Sequence, residues 1–158
     1  MTDLRFRNIN VTPDDAVEDW GMEGLLAAVD RGGFLDWQRV VSAVQNDPWG
    51  PVSRALEREV FKIAESSGVV AAMEAALELA RLDRQAQERQ AVADELAELL
   101  SESGLTRAQF ADRLGTSTSR LSTYLAGTVT PSAALVVRAR RAAQISHVPL
   151  PRDLSGRS

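Results

Sequence analysis

The sequence predicts an all-α protein in two helical parts, and three observations carry that prediction. Sustained alternation of apolar and polar residues is absent, as are Asn-Gly and Asp-Gly hairpin turns. Apolar residues instead recur at helical spacing between clusters of glycine, proline and serine. Charge is also divided unevenly along the chain, whose net charge is −4. Residues 1–103 hold 10 basic against 20 acidic side chains, a net of −10. Residues 104–158 hold 8 arginines against Asp112 and Asp153, a net of +6. Such asymmetry suits a basic binding module joined to an acidic partner module.

The elements follow in order. Thr12-Pro13-Asp14-Asp15 reads as an N-cap, a proline at the first helical position and acids in the first turn. The predicted helix carries Val17, Trp20, Leu25, Ala28 and Val29 inward and ends at Arg31-Gly32-Gly33. Asp36 can cap a second helix with Trp37, Val40, Val41 and Val44 on one face. The breaker-dense Asn46-Asp47-Pro48-Trp49-Gly50-Pro51 is a turn, and a third helix starts at Pro51. It presents Val52, Leu56, Val60 and Ile63, with Phe61 beside them, and Ser66-Ser67-Gly68 stops it. No breaker occurs from Val69 to about Leu100, where Met73, Leu77, Ala80 and Leu82 precede the polar run 83–90, then Val92, Leu96, Leu99 and Leu100. Either one long helix crosses that run or two helices meet in it. Heptads are not sustained, which argues against a long coiled coil. Residues 1–82 are thus read as an acidic helical module for dimerisation or partner binding, 83–90 as a polar helical linker, 91–148 as a second domain and 149–158 as a frayed tail.

Composition removes several function classes. With 158 residues folding can bury roughly 70% of the unfolded surface, enough for a core without staples. The absence of cysteine excludes a disulfide framework and cysteine-based zinc sites. His147 has no second histidine beside it, so no metal site is expected. Asp14, Asp15, Glu18 and Asp19 suit the start of a helix better than a carboxylate pair, and Trp20, Trp37, Trp49, Phe34 and Phe61 suit a core better than a ligand pocket. The serines of residues 101–122 have no base in a recognisable arrangement. No enzyme activity and no cofactor are expected. Without a long apolar run or a signal-like N-terminus, the reading is a cytoplasmic, nucleoid-associated protein with no membrane partner.

The second domain contains the informative stretch. Thr106 caps a short helix, and Gln109 completes a capping box. Phe110, Ala111 and Leu114 face inward, and Gly115 can take the left-handed conformation that ends the helix sharply. Ser117 then caps another helix, Thr118 to about Ala126, whose buried side is Leu121 and Leu125, and Gly127 closes it. Two short helices with so tight a corner make a helix-turn-helix, whose second helix can enter the major groove of DNA. Its outward residues are Thr118, Ser119, Arg120, Ser122 and Thr123, and no acid occurs from Gly115 to Pro149. Hydroxyls can bond bases or phosphates, and arginine can grip guanine through two acceptors. The helix starts at Thr106 and Ser117 suit phosphate, and Arg138, Arg140 and Arg141 form either a solvated helix face or a phosphate clamp, Arg138 and Arg141 being one turn apart.

GLTRAQFADRLGTSTSRLSTYLAGTVTPSAALVVRARRA, residues 104–142, resembles the lambda-repressor-like (Xre/Cro type) helix-turn-helix family. The matching features are the Leu105-Thr106 opening, Gln109, Ala111, Leu114-Gly115, Ser117, Leu121, the aromatic Tyr124, Gly127 and Pro131. The resemblance implies a five-helix domain over about Gln90 to Ser146, with base contacts from Thr118, Ser119, Arg120 and Thr123. Gln109 and Ser117 would lie near phosphates; Thr106, Arg107, Tyr124, Thr128 and Arg138 complete the expected phosphate set. The chain departs from the family at Thr118 and Ser119, where longer amide or charged side chains are common. Residues 22–60 resemble a helical segment ahead of such domains in regulators from high-GC bacteria. The function implied is a sequence-specific double-stranded DNA-binding transcriptional regulator, a homodimeric repressor. The alternative is an antitoxin whose N-terminal module holds a toxin, or another regulator, and which autorepresses.

Overall fold

The computed structural model describes residues 4–145, all of whose regular structure is helical. The expected tail 149–158, and His147, lie outside the described residues. The chain divides into two compact units, residues 1–85 and 86–158, with separate apolar cores.

In the first unit α1 (Gly21–Arg31) begins later than the sequence predicts. Asp15 does not serve a first helical turn: its carboxylate accepts from the Thr12 backbone at 2.7 Å and from the Thr12 hydroxyl at 3.1 Å, closing a tight turn. A single 3-10 turn, Val17–Asp19, follows, and Gly21 sits at φ +65°. The turn is pinned by Trp20, whose indole donates to the Asp15 carbonyl at 3.0 Å. Arg39 stacks 4.9 Å from the Trp20 ring centre and donates to the carbonyls of Pro13 and Asp15. In α2 (Phe34–Asn46) Asp36 caps from the third helical position, accepting from the Gly33 N–H at 2.9 Å. Trp37 donates to the Ala28 carbonyl and ties α2 to α1.

Pro51 opens α3 (Pro51–Ala55) as expected, but a π-helical turn, Leu56–Val60, separates it from α4 (Phe61–Ile63). Val52, Leu56 and Val60 are buried, while Ile63 is 55% exposed. The wide turn changes the register of the buried face: Ile63 falls outside it, while Phe61 and Ala64 still pack against the core. The helix stops before Ser66, and Ser67 opens the next one. The link is held by Asp30 of α1, which accepts from the N–H groups of Glu65 and Ser66.

One continuous helix, α5 (Ser67–Ser103), crosses the polar run. Its first part buries Met73, Leu77 and Ala80 in the first unit, but leaves Leu79 and Leu82 exposed. The buried steps are four and then three residues, so Leu82 falls outside that face. Arg81 and Arg84 receive the end of α2, donating to the carbonyls of Pro48, Gln45 and Asn46.

The end of α5 belongs to the second unit with α6 (Arg107–Leu114), α7 (Thr118–Leu125) and α8 (Ala133–Ile145). Leu96, Phe110, Ala111, Leu114, Leu121, Leu135, Ala139 and Ala142 form its core. The resemblance implies five helices; four helical segments are present among the described residues. From Gly127 to Ser132 the chain is non-helical, in keeping with β-branched Thr128, Val129 and Thr130 followed by Pro131.

Candidate nucleic-acid interface

The corner between α6 and α7 is built from backbone hydrogen bonds that only a left-handed residue permits. Gly115 sits at φ +71°; its N–H reaches Asp112, and the next N–H, of Thr116, reaches back to Ala111. These two bonds satisfy the last carbonyls of α6 in a Schellman closure. The same pair of bonds closes α7, where Gly127 stands at φ +73° and Thr128 bonds Thr123. Both starts are capped as the sequence predicts. The Gln109 N–H meets the Thr106 hydroxyl at 3.2 Å while the Gln109 side-chain oxygen receives the Thr106 N–H at 3.0 Å. The Ser117 hydroxyl accepts the Arg120 N–H at 3.1 Å. Each helix of the motif is therefore capped at its start and closed at its end by local hydrogen bonds, and α7 is held at both ends.

Leu121 anchors α7 with no exposed surface, and Tyr124 lies beside it at 9% exposure. Leu125, expected on the buried side, is only half-buried, so Tyr124 takes the place assigned to it. Tyr124 thus belongs to the core. Thr118, Ser119, Arg120, Ser122 and Thr123 are all exposed on the same helix. Their polarity is partly set by the helix itself. The Ser122 hydroxyl donates to the Thr118 carbonyl at 3.0 Å and the Thr123 hydroxyl to the Arg120 carbonyl at 2.7 Å. Each hydroxyl has one proton, so these two offer oxygen lone pairs outward. The Thr128 hydroxyl likewise donates to the Thr123 carbonyl. Arg120 is the cation among them, and none of the described hydrogen bonds or ion pairs engages its guanidinium.

The arginines of α8 differ in what they touch. Arg138 donates to the Leu114 carbonyl at 3.0 Å, adding a cation to the end of α6 next to the Gly115 corner. It therefore supports the corner, a role the sequence did not reveal because the two residues lie 24 positions apart. Arg140 pairs with Glu95 at 2.7 Å. Arg141, Arg107 and Gln109 are exposed. Among the described residues no group of three His, Cys, Asp or Glu side chains converges as metal ligands would, and no helix is long and apolar enough to cross a membrane. Of the aromatics expected in a core, Trp20 is buried and Trp37 and Phe61 are half-buried against it, with both tryptophans hydrogen-bonded to backbone, whereas Trp49 at 43% and Phe34 at 67% are exposed and lie outside it.

Residues 91–152 match the family model of a helix-turn-helix domain. No curated protein and no solved structure matches the chain. The match supports a helix-turn-helix DNA-binding domain in the C-terminal part of the molecule, consistent with the capped α6–corner–α7 geometry.

Proposed function

We propose that this protein is a sequence-specific double-stranded DNA-binding transcriptional regulator of the Xre type, acting as a homodimeric repressor that reads the major groove with α7. The observation that carries the reading is the outer face of α7: short hydroxylated side chains and one uncommitted arginine on a helix anchored by Leu121. Short side chains let the backbone approach base edges, and Arg120 can bond O6 and N7 of guanine together. Charge supports it, because four arginines and no acid lie between Gly115 and Pro149. Thr106, Arg107, Gln109, Ser117, Thr128 and Arg138 would hold phosphates. The acidic first unit, by contrast, repels phosphate and is assigned to protein contact.

Selection of binding sites from a random duplex library, followed by titration of the selected site at several salt concentrations, tests the reading. A defined site should emerge, with the logarithm of affinity falling against that of salt at roughly −0.9 per phosphate contact. Failure to enrich any sequence, or a salt-independent affinity, overturns it.

A further inference from the structure

The hydroxyls on the outer face of α7 are not chemically alike. The Ser122 proton goes to the Thr118 carbonyl at 3.0 Å and the Thr123 proton to the Arg120 carbonyl at 2.7 Å. None of the described hydrogen bonds engages the hydroxyls of exposed Thr118 and Ser119, so their protons are free to turn outward. A hydroxyl carries one proton and two lone pairs. The start of α7 therefore holds the donors, Thr118, Ser119 and the Arg120 guanidinium, and the following turn holds acceptors alone. Thr123 is the clearest case. It is exposed, its oxygen is turned back onto the helix, and it lies one turn from both Ser119 and Arg120. Branching at Cβ restricts its χ1, which keeps the oxygen in that position.

We infer that Thr123 reads the exocyclic amino group of an adenine or a cytosine in the base pair next to the guanine held by Arg120. The inference deepens the DNA-binding reading above and rests on it. In the major groove guanine O6 and N7, adenine N7 and thymine O4 are acceptors, whereas adenine N6 and cytosine N4 carry donor protons. A side chain that offers only lone pairs is repelled by the first set and bonded by the second. Arg120 and Thr123 are about 4.5 Å apart along α7. That is close to the roughly 3.4 Å between successive nucleotides of a strand. A guanine at Arg120 thus brings a neighbouring base pair to Thr123. The amino group gives its outer N–H to Oγ1 and keeps its inner N–H in the base pair. A methyl group on N6 or N4 stands in the groove in place of that outer N–H. The same contact therefore makes recognition sensitive to methylation of the amino group.

The full-length chain and its selected duplex test this with base analogues. 2-Aminopurine in place of adenine still pairs with thymine but moves the amino group to the minor groove. If adenine is read, 2-aminopurine at one position beside the guanine should weaken binding roughly three- to tenfold. If cytosine is read, N4-methylcytosine at such a position should do so instead. Thr123→Val keeps the branched shape, removes the oxygen and should weaken binding to the unmodified duplex by the same factor. On the analogue duplex, wild type and Thr123→Val should bind equally, because the contact is already gone. Circular dichroism should show unchanged helicity; if it falls, Thr123→Ala, a better helix former that also lacks the oxygen, takes the place of Thr123→Val. Additive losses from variant and analogue, or no position beside the guanine at which either analogue matters, overturn the inference. 7-Deazaguanine, which lacks N7, checks the Arg120 contact separately. A selected duplex weakened by 7-deazaguanine but indifferent to the amino-group analogues refutes only the role of Thr123. A chain that selects no sequence refutes the DNA-binding reading, and this inference with it.

Discussion

Arg120 and Leu121 are neighbours with opposite tasks, which makes them a matched pair for mutation. Arg120→Ala should lower affinity for the selected site by about 1–3 kcal/mol and relax its sequence preference, with stability unchanged. Competition between the selected site and point-mutated duplexes measures this; unchanged selectivity would mean that α7 is not the reading surface. Leu121→Ala removes a side chain with no exposed surface and should cost roughly 2–5 kcal/mol in stability, seen in denaturant titration. Arg138 should behave differently from both. Its bond to Leu114 supports the corner, so Arg138→Ala should weaken binding to all duplexes alike and lower stability by about 1 kcal/mol. A change confined to one base position would refute that role.

At the scale of elements, helix ends decide what each helix can do. Ser117→Ala removes the oxygen that accepts the Arg120 N–H, at a cost of about 0.5–2 kcal/mol, and should impair binding by loosening the start of α7. Ser117→Asp should restore most of the stability while weakening DNA binding, because it puts a negative charge where phosphate is expected. Equal stability of wild type and Ser117→Ala would show the cap to be dispensable. In the first unit, α5 meets the π turn through Arg81 and Glu57. The Arg81 hydrogen bonds hold the Glu57 carboxyl below the usual carboxylate range, against a smaller opposing effect of burial. A lowered folded-state pKa means the pair stabilises at neutral pH and that this contribution fades as pH falls through the folded value. The carboxylate is half exposed, so the effect should stay below about 1 kcal/mol. Comparing the acid unfolding of Glu57→Gln with wild type checks this: the two should converge at low pH.

For the whole molecule, two separate apolar clusters imply that the units can be parted. A chain beginning at Ala86 retains Leu96, Phe110, Leu114, Leu121 and Leu135 and should fold as a helical monomer. It should bind duplex DNA with strong salt dependence but lose most of the affinity for the selected site, since one recognition helix makes about half the contacts of two. Light scattering beside duplex titration is decisive here: a dimeric fragment that binds as tightly as the full chain would remove any role of the first unit in assembly.

Where the information is local, it was legible in the chain. The caps at Thr106, Gln109 and Ser117 and the turn glycines at 115 and 127 follow from contacts within about five residues, the inward set Phe110, Leu114 and Leu121 follows from helical spacing, and the structure contains them. The all-α class and the start at Pro51 were legible for the same reason. Tertiary structure decided what depends on distant partners. Thr12–Asp15 became a turn because Trp20 and Arg39 bind its carbonyls, where local propensity alone suggested a helix start. Nor could helical periodicity say whether the polar run 83–90 ends a helix, because solvated residues continue one as readily as they flank one. The same holds for the exposure of Leu79 and Leu82 on α5 and for Arg138 at the corner. Burial and long-range hydrogen bonds arise from how the chain returns on itself, and spacing along the sequence does not encode that return.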